Sequence, residues 1–432
     1  MNLRTFRAQL FLSLTLCFVS LSPVSGQQPG EQLAIHAGRL IDVRTGKVSQ
    51  KAFIVVSKDR IVRIADSAPS GAKLVDLSKY TVVPGLIDAH NHLLGNPKDQ
   101  TPTSSLRMSS PQKAIWGVHN LQIILDHGFT AMRDACEGDP GYGQIALRDS
   151  IEKGLIRGPR IVSAGSCVSL TGGHRDDDVL APDAGFVPRQ NIADSVDGIS
   201  YAVRRDIKYG SDWIKLMASG GVGDPVSDYR VQELSEEQMA KAVEIAHRAG
   251  KKVMAHAEGT DGIKAAVRAG VDSIEHGTML DEEGARLMEQ RGTWLVPTLM
   301  TFQHGVEEGA SLGADPATVA KGEAILKAQG PAFRLALAHH LKIAYGVDDD
   351  SDFESKEFAA LVRGGMSSLE ALRAATVNAA ELIGRSTEIG SIEAGKFADI
   401  VAVDGDPLAD ITAMEKVVFV MKGGEVFKSP AH

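Results

Sequence analysis

The stretch Val83-Pro84-Gly85-Leu86-Ile87-Asp88-Ala89-His90-Asn91-His92 decides the reading of this chain. Its apolar part, residues 82–87, has the length and character of a strand, and two imidazoles follow. Residues i and i+2 of a strand point the same way, so His90 and His92 face one site. Seven more apolar runs of strand length come after it, at 129–132, 160–164, 213–217, 253–255, 273–274, 294–296 and 343–347. Segments of helical period lie between them. Val196, Ile199, Val203 and Ile207 share one face, as do Met239, Val243 and Ala246. The latter segment opens with the capping box Ser235-Glu236-Glu237-Gln238 and stops at Ala249-Gly250. Strands and helices alternating in this way over about 300 residues predict a closed parallel (β/α)8 barrel. An open doubly wound sheet is the competing topology.

The two ends of the chain are built differently. Leu33-Ala34-Ile35-His36, Phe53-Ile54-Val55-Val56 and Ile61-Val62-Arg63-Ile64 are short strands, parted by the turns Thr45-Gly46 and Lys58-Asp59. Ile400-Val401-Ala402-Val403 and Val417-Val418-Phe419-Val420, before Gly423-Gly424, repeat that style. One small β-sandwich built from both termini is expected, residues 27–84 and 387–432, around a barrel at 85–386. Residues 1–26 read as an export signal. Arg4 and Arg7 precede an apolar run at 10–21, and Val24-Ser25-Gly26 offers small residues for cleavage. The run is short of the roughly 20 residues a membrane span needs. Cys17 follows Leu16 rather than a small residue, so lipid attachment is not expected. The mature chain is expected to be soluble, periplasmic or secreted, with no membrane contact. Of its thiols only Cys136 and Cys167 would remain, and one bridge or two free thiols fit export equally.

Composition narrows the partners. The 432 residues are 43% hydrophobic and 23% charged, with a formal charge of −9. Signal removal would take two positive charges and make the balance more acidic. No Lys/Arg block offsets this, which argues against nucleic acid. Glycine is frequent, at 44 residues, and aromatics are sparse, at 5%. That profile suits a fold with many short βα turns better than a carbohydrate-stacking surface. A homo-oligomer is left open.

Catalytic groups of such barrels come from the C-terminal ends of several strands. Here the fourth run holds Lys215, the fifth ends at His256, the sixth at His276 and the eighth at Asp348. A buried ammonium is costly, so Lys215 is either paired with a carboxylate or neutral. A neutral amine can capture carbon dioxide, giving an anionic carbamate able to bridge two cations.

With these residues in place, the chain resembles the amidohydrolase superfamily. The stretch 83–92, Ser273-Ile274-Glu275-His276-Gly277, Ala374-Ala375-Thr376-Val377-Asn378-Ala379-Ala380-Glu381-Leu382 and Gly390-Ser391-Ile392-Glu393-Ala394-Gly395-Lys396-Phe397-Ala398-Asp399-Ile400 carry that resemblance. Thr171-Gly172-Gly173-His174 and Lys215 with Ser219-Gly220-Gly221 are similar to its binuclear dipeptidases, of Xaa-Pro and Xaa-Arg type, and to its ochratoxin-hydrolysing members. Arg175 departs from that subgroup's glycine, and Val347 from its threonine.

The resemblance implies one divalent ion on His90, His92, carbamylated Lys215 and Asp348, and a second on Lys215, His256 and His276. Zinc is the expected species; manganese and cobalt also suit such ligands. A hydroxide shared by the ions would attack the carbonyl of a dipeptide or N-acyl amino acid. Asp348 would carry the proton from water to the leaving amine. His174, in the loop after the third run, is expected either to touch substrate or to order that loop. Tyr229 and Arg230 could hold a substrate carboxylate or be a solvated loop pair. Asp88 and Glu275 precede ligands and could support them. Arg133-Asp134 reads as a buried ion pair rather than catalytic. The remaining histidines, among them His36 and His304, read as structural or solvated. The rival readings are a cyclic-amide or lactone hydrolase resembling imidazolonepropionase and a barrel without catalysis.

Overall fold

A computed structural model describes residues 32–176, 180–181, 183, 190–348 and 353–430. The expected signal, with Cys17, lies outside the described residues. Fifteen strands group into three sheets. The first four are β1 (Gln32–Ile41), β2 (Val48–Ser57), β3 (Arg60–Ala65) and β4 (Lys73–Pro84). The barrel-type strands are β5 (Leu86–Asn91), β6 (Phe129–Asp134), β7 (Arg160–Ser163), β8 (Cys167–Val168), β9 (Trp213–Met217), β10 (Lys252–Ala257), β11 (Ser273–His276) and β12 (Trp294–Val296). The last three are β13 (Ile400–Val403), β14 (Val417–Lys422) and β15 (Glu425–Lys428).

Strands from both termini do share a sheet, in the order β15-β14-β13-β4-β1-β2-β3. The hydrogen bonding of these seven strands is one continuous run. The reason is β4, which pairs parallel with β1 and antiparallel with β13, stitching the two ends edge to edge. Apolar residues of β1–β4, β13 and β14 form one buried cluster, including Ile35, Ile54, Leu77, Ile400 and Phe419.

The expected first strand, 82–87, is divided between two sheets at Gly85. Its N–H donates to Asp399 O at 2.8 Å, and a Cβ there would lie 2.2 Å from Thr130 Oγ1. Only glycine permits that approach. β5 then starts a parallel sheet, β5-β6-β7, and a second parallel sheet runs β12-β11-β10-β9-β8. The third stave thus breaks into β7, paired with β6, and β8, paired with β9. Backbone bonds cross the gap: Asp212 N–H to Ser163 O at 2.7 Å and Glu137 N–H to Gly165 O at 3.0 Å.

On the other side, residues 343–348 lie between β12 and β5. Ala344 N–H donates to Leu295 O at 3.0 Å, while Ala89 N–H donates to Tyr345 O at 2.8 Å and Asp348 N–H to His90 O at 2.8 Å. This segment forms only an isolated bridge, Leu295 with Ile343, where a full strand was expected. Its end leaves extended geometry at Asp348, whose φ is 54°. The architecture is α/β and barrel-like, with an added β domain.

The helices follow their amphipathic signals. Val196–Lys208 buries Ile199 and Val203. Glu236–Arg248 starts at the Ser235–Gln238 capping box and stops before Gly250, whose φ is 69°. Among the described residues no helix is long and apolar enough to cross a membrane.

Candidate metal centre

Every expected ligand reaches the same end of the parallel strands. His90 lies in β5 with His92 just beyond it, Lys215 in β9, His256 in β10, His276 at the end of β11, and Asp348 closes the segment after Gly346. All six line one cavity of about 430 Å³, together with His174 and Arg175. Asp348 Oδ1 is 3.2 Å from His90 Nε2 and 3.0 Å from His92 Nε2, and its Oδ2 is 3.8 Å from His276 Nε2. The rings of His90 and His276 are 5.0 Å apart, and those of His256 and His276 are 4.8 Å apart.

Each imidazole is oriented through one nitrogen, which leaves the other for the centre. His90 Nδ1 meets Glu275 Oε2 at 2.7 Å, and His92 Nδ1 meets the Cys136 carbonyl at 2.6 Å. His276 Nδ1 pairs with Thr298 Oγ1 at 2.7 Å, and His256 Nε2 with Gly220 O at 3.1 Å. Such outer partners fix the ring and raise the basicity of the free nitrogen. His276, Thr298 and Asp348 all have left-handed backbone, at φ 70°, 43° and 54°. That strain costs energy and persists where a site dictates it.

The electrostatics suit cations. Burial pushes the Lys215 amine down to about 8 against the pull of Glu275 and Asp348, so the neutral form is accessible near neutral pH. Burial pushes the Asp348 carboxyl up, but His90, His92 and His276 outweigh it and hold the group well below the usual carboxylate range. Burial likewise keeps His256 and His276 well below the ordinary imidazole value. His90 Nε2 is buried without a hydrogen bond. Free imidazole nitrogens, an ionised carboxylate and a buried amine, all converging, form a donor set that fits divalent metal ions.

Glu275 holds a candidate ligand, and that residue is His90, on a strand of the other parallel sheet. Its other partner is Arg133, whose Nη2 lies 2.9 Å from Oε1. Arg133 is therefore in a buried ion pair with Glu275, not with its neighbour Asp134. Alternation along β6 turns Asp134 the other way, where its Oδ2 accepts from Ser163 Oγ at 2.8 Å. Asp88 accepts from His90 N–H at 2.8 Å and from Asn91 Nδ2 at 2.8 Å, bracing the strand end.

His174 is locked in place. Its Nδ1 meets Asp224 Oδ2 at 2.6 Å, and its ring packs against that of His256, tilted by 34° with centroids 4.3 Å apart. A Cβ at Gly221 would stand 2.4 Å from the ring, so glycine there makes room for the imidazole. Burial raises the Asp224 carboxyl, and His174 and the Ser227 bonds pull it far down. Lys321 ties the same loop by donating to Asp224 O at 2.7 Å and Gly221 O at 3.3 Å.

Tyr229 and Arg230 are not among the residues lining the cavity. Both oxygens of Asp228 hold the Arg230 guanidinium, at 2.9 and 2.7 Å, and Tyr229 packs against Val222, Phe302 and Ile325. Arg175, by contrast, faces the cavity from left-handed backbone, φ 68°, with its Nε unpartnered. His304, read as structural, also lines the cavity. So does Glu258, a buried carboxylate absent from the sequence reading. Only its place two residues past His256 could have signalled it. Cys136 and Cys167 are joined in a disulfide.

The fold and this candidate metal-ligand set define the class, an α/β barrel-like protein with an added β domain, and residues 81–427 match the model of the Amidohydrolase family. The chain belongs to that family. It is 32% identical over 425 residues to ochratoxinase of Aspergillus niger, covering 92% of this chain and 86% of that protein. A crystal structure of a Xaa-Pro dipeptidase with methionine in its active site is 33% identical with a TM-score of 0.86, over 92% of this chain and all of that one. The crystal structure of A. niger ochratoxinase is 29% identical with a TM-score of 0.81, over 94% and 97% of the two chains.

Proposed function

We propose that this chain is a hydrolase of small linear amides, dipeptides or N-acyl amino acids, that works with two divalent ions. The observation that carries the reading is the convergence of His90, His92, Lys215, His256, His276 and Asp348 on one cavity, with Lys215 buried where its amine is readily neutral. Relatives named ochratoxinase and Xaa-Pro dipeptidase support amide chemistry of this kind. In this reading the two parallel sheets are one eight-stave barrel closed through 343–348.

His90, His92, Asp348 and Lys215 would hold one ion, and Lys215, His256 and His276 the other, with zinc as the expected species. A neutral Lys215 adding carbon dioxide would lose a proton and become a carbamate whose single negative charge is shared by two oxygens. When bound, the ions would acidify water and polarise the scissile carbonyl. Asp348 holds its carboxylate ionised at the cavity, ready to take the proton from attacking water and return it to the leaving amine. His174, held through Nδ1 by Asp224, would present Nε2 to the substrate carbonyl. Arg175 is the better placed cation for a substrate carboxylate, since the Arg230 fork is occupied by Asp228. Export is part of the proposal, and the Cys136–Cys167 bridge supports an oxidising compartment.

The test is metal quantification joined to a library of dipeptides, N-acyl amino acids, cyclic amides and lactones. The reading expects about two ions per chain, hydrolysis of linear amides with a free carboxylate, and loss of activity on chelation. Turnover confined to cyclic amides or lactones would overturn the substrate class.

A further inference from the structure

Glu258 has no assigned work in the centre, yet its setting is specific. It lies just past β10, fully buried and lining the cavity. Its backbone is pinned on both sides: N–H donates to Ser219 Oγ at 2.8 Å, and its carbonyl accepts from Met279 N–H at 3.0 Å. One carboxylate oxygen, Oε2, accepts from Thr278 Oγ1. The other, Oε1, is buried with no hydrogen-bond partner. Native proteins rarely leave such an oxygen unpaired, so a partner that arrives later is the natural explanation.

The neighbours say what kind of partner. A carboxylate oxygen of Glu258 lies within 4.8 Å of a ring nitrogen of His256 and of His276, close enough for all three to hold one cation. One nitrogen of each of those imidazoles is engaged, by Gly220 O and Thr298 Oγ1. The ligand sets assigned above are also unequal. The first ion has a protein carboxylate, Asp348, while the second has two neutral imidazoles and a share of Lys215.

We propose that Glu258 is a further protein donor to the second ion, binding it together with His256 and His276. The proposal rests on the metal-dependent reading above. It gives each ion one carboxylate, and hard oxygen donors of this kind widen the choice of metal towards manganese. Thr278 aims the group by holding Oε2, so that Oε1 faces the ion.

The experiment is a metal titration of the metal-stripped full chain with zinc and, separately, manganese, read as ions per chain and as affinity without any substrate. Glu258→Gln keeps the volume and an acceptor for Thr278 but removes the anionic donor. It should retain the first ion and weaken the second at least tenfold, with the larger loss for manganese. Thr278→Val, which leaves the carboxylate but cuts the bond that aims it, should weaken the second ion several-fold, and it carries the test should the glutamine variant not fold. Two ions bound to both variants with wild-type affinity overturn the role of Glu258 alone. A wild-type chain that binds no ion overturns the metal-dependent reading with it.

Discussion

Asp348 shows how much one residue position demands. It must remain ionised although buried, reach His90 and His92 at about 3 Å, and sit on left-handed backbone. Its proposed role as proton carrier is separable from its proposed place among the ligands. Asp348→Asn keeps the shape and one oxygen donor but cannot accept a proton. The variant should keep at least the ion held by His256 and His276, while kcat falls by about 10³-fold or more, in line with losses of general acid–base groups. Steady-state kinetics with metal analysis of the same sample checks it, and near-wild-type turnover would remove the assigned role. His174 is a different case. The sequence reading left it between substrate and loop, and it is the flanking Gly221, Asp224 and His256 that hold its ring at the cavity.

Among the elements, β8 and the segment just after β6 are joined by a covalent bond that sequence alone left open. Cys136 follows β6 and Cys167 begins β8, and the disulfide spans 31 residues. Its ends touch the centre: the Cys136 carbonyl holds His92 Nδ1, and Cys167 pairs in register with Lys215. Replacing both cysteines with serine should cost about 2–4 kcal/mol, the usual effect of opening a loop of this length. It should also loosen His92. Melting curves of the double variant, and of the wild type with and without reductant, test this; an unchanged melt with both thiols shown to be free would count against it. Elements were legible where local physics is strong. The Ser235–Gln238 capping box and the glycine after it delimit a helix by themselves. The break of the third stave into β7 and β8, and the loss of regular strand at 343–348, carry no local signal, because neighbouring staves decide them.

The whole molecule has a stability that depends on pH through a buried carboxyl that does not line the cavity. Asp206 is fully buried, accepting from Tyr142 Oη at 2.7 Å and Ser166 Oγ at 2.8 Å. Burial pushes its carboxyl up to about 7. In the unfolded chain the same group titrates near 3.8, so between roughly pH 4 and 7 the folded state binds the extra proton. Its contribution is complete below the unfolded value and is lost as pH rises through about 7. Asp206→Asn should flatten that fall by on the order of 1 kcal/mol per pH unit within the window. Denaturant unfolding at pH 5 and pH 7.5 measures it, and identical pH slopes for the two proteins would refute it.

At this scale the division of labour between sequence and structure is also clearest. The period of the apolar runs and the ligand types at their ends were enough for an α/β chain with strands at both termini, and they named His90, His92, Lys215, His256, His276 and Asp348. Strand alternation and the cost of burying polar groups act locally and leave a visible pattern. Only the tertiary structure decided that the terminal strands form one continuous sheet through β4, that Arg133 pairs with Glu275 rather than Asp134, that Arg230 is taken by Asp228, and that Glu258 stands in the cavity. Those outcomes depend on which groups meet across many residues of chain, and no local preference encodes that meeting.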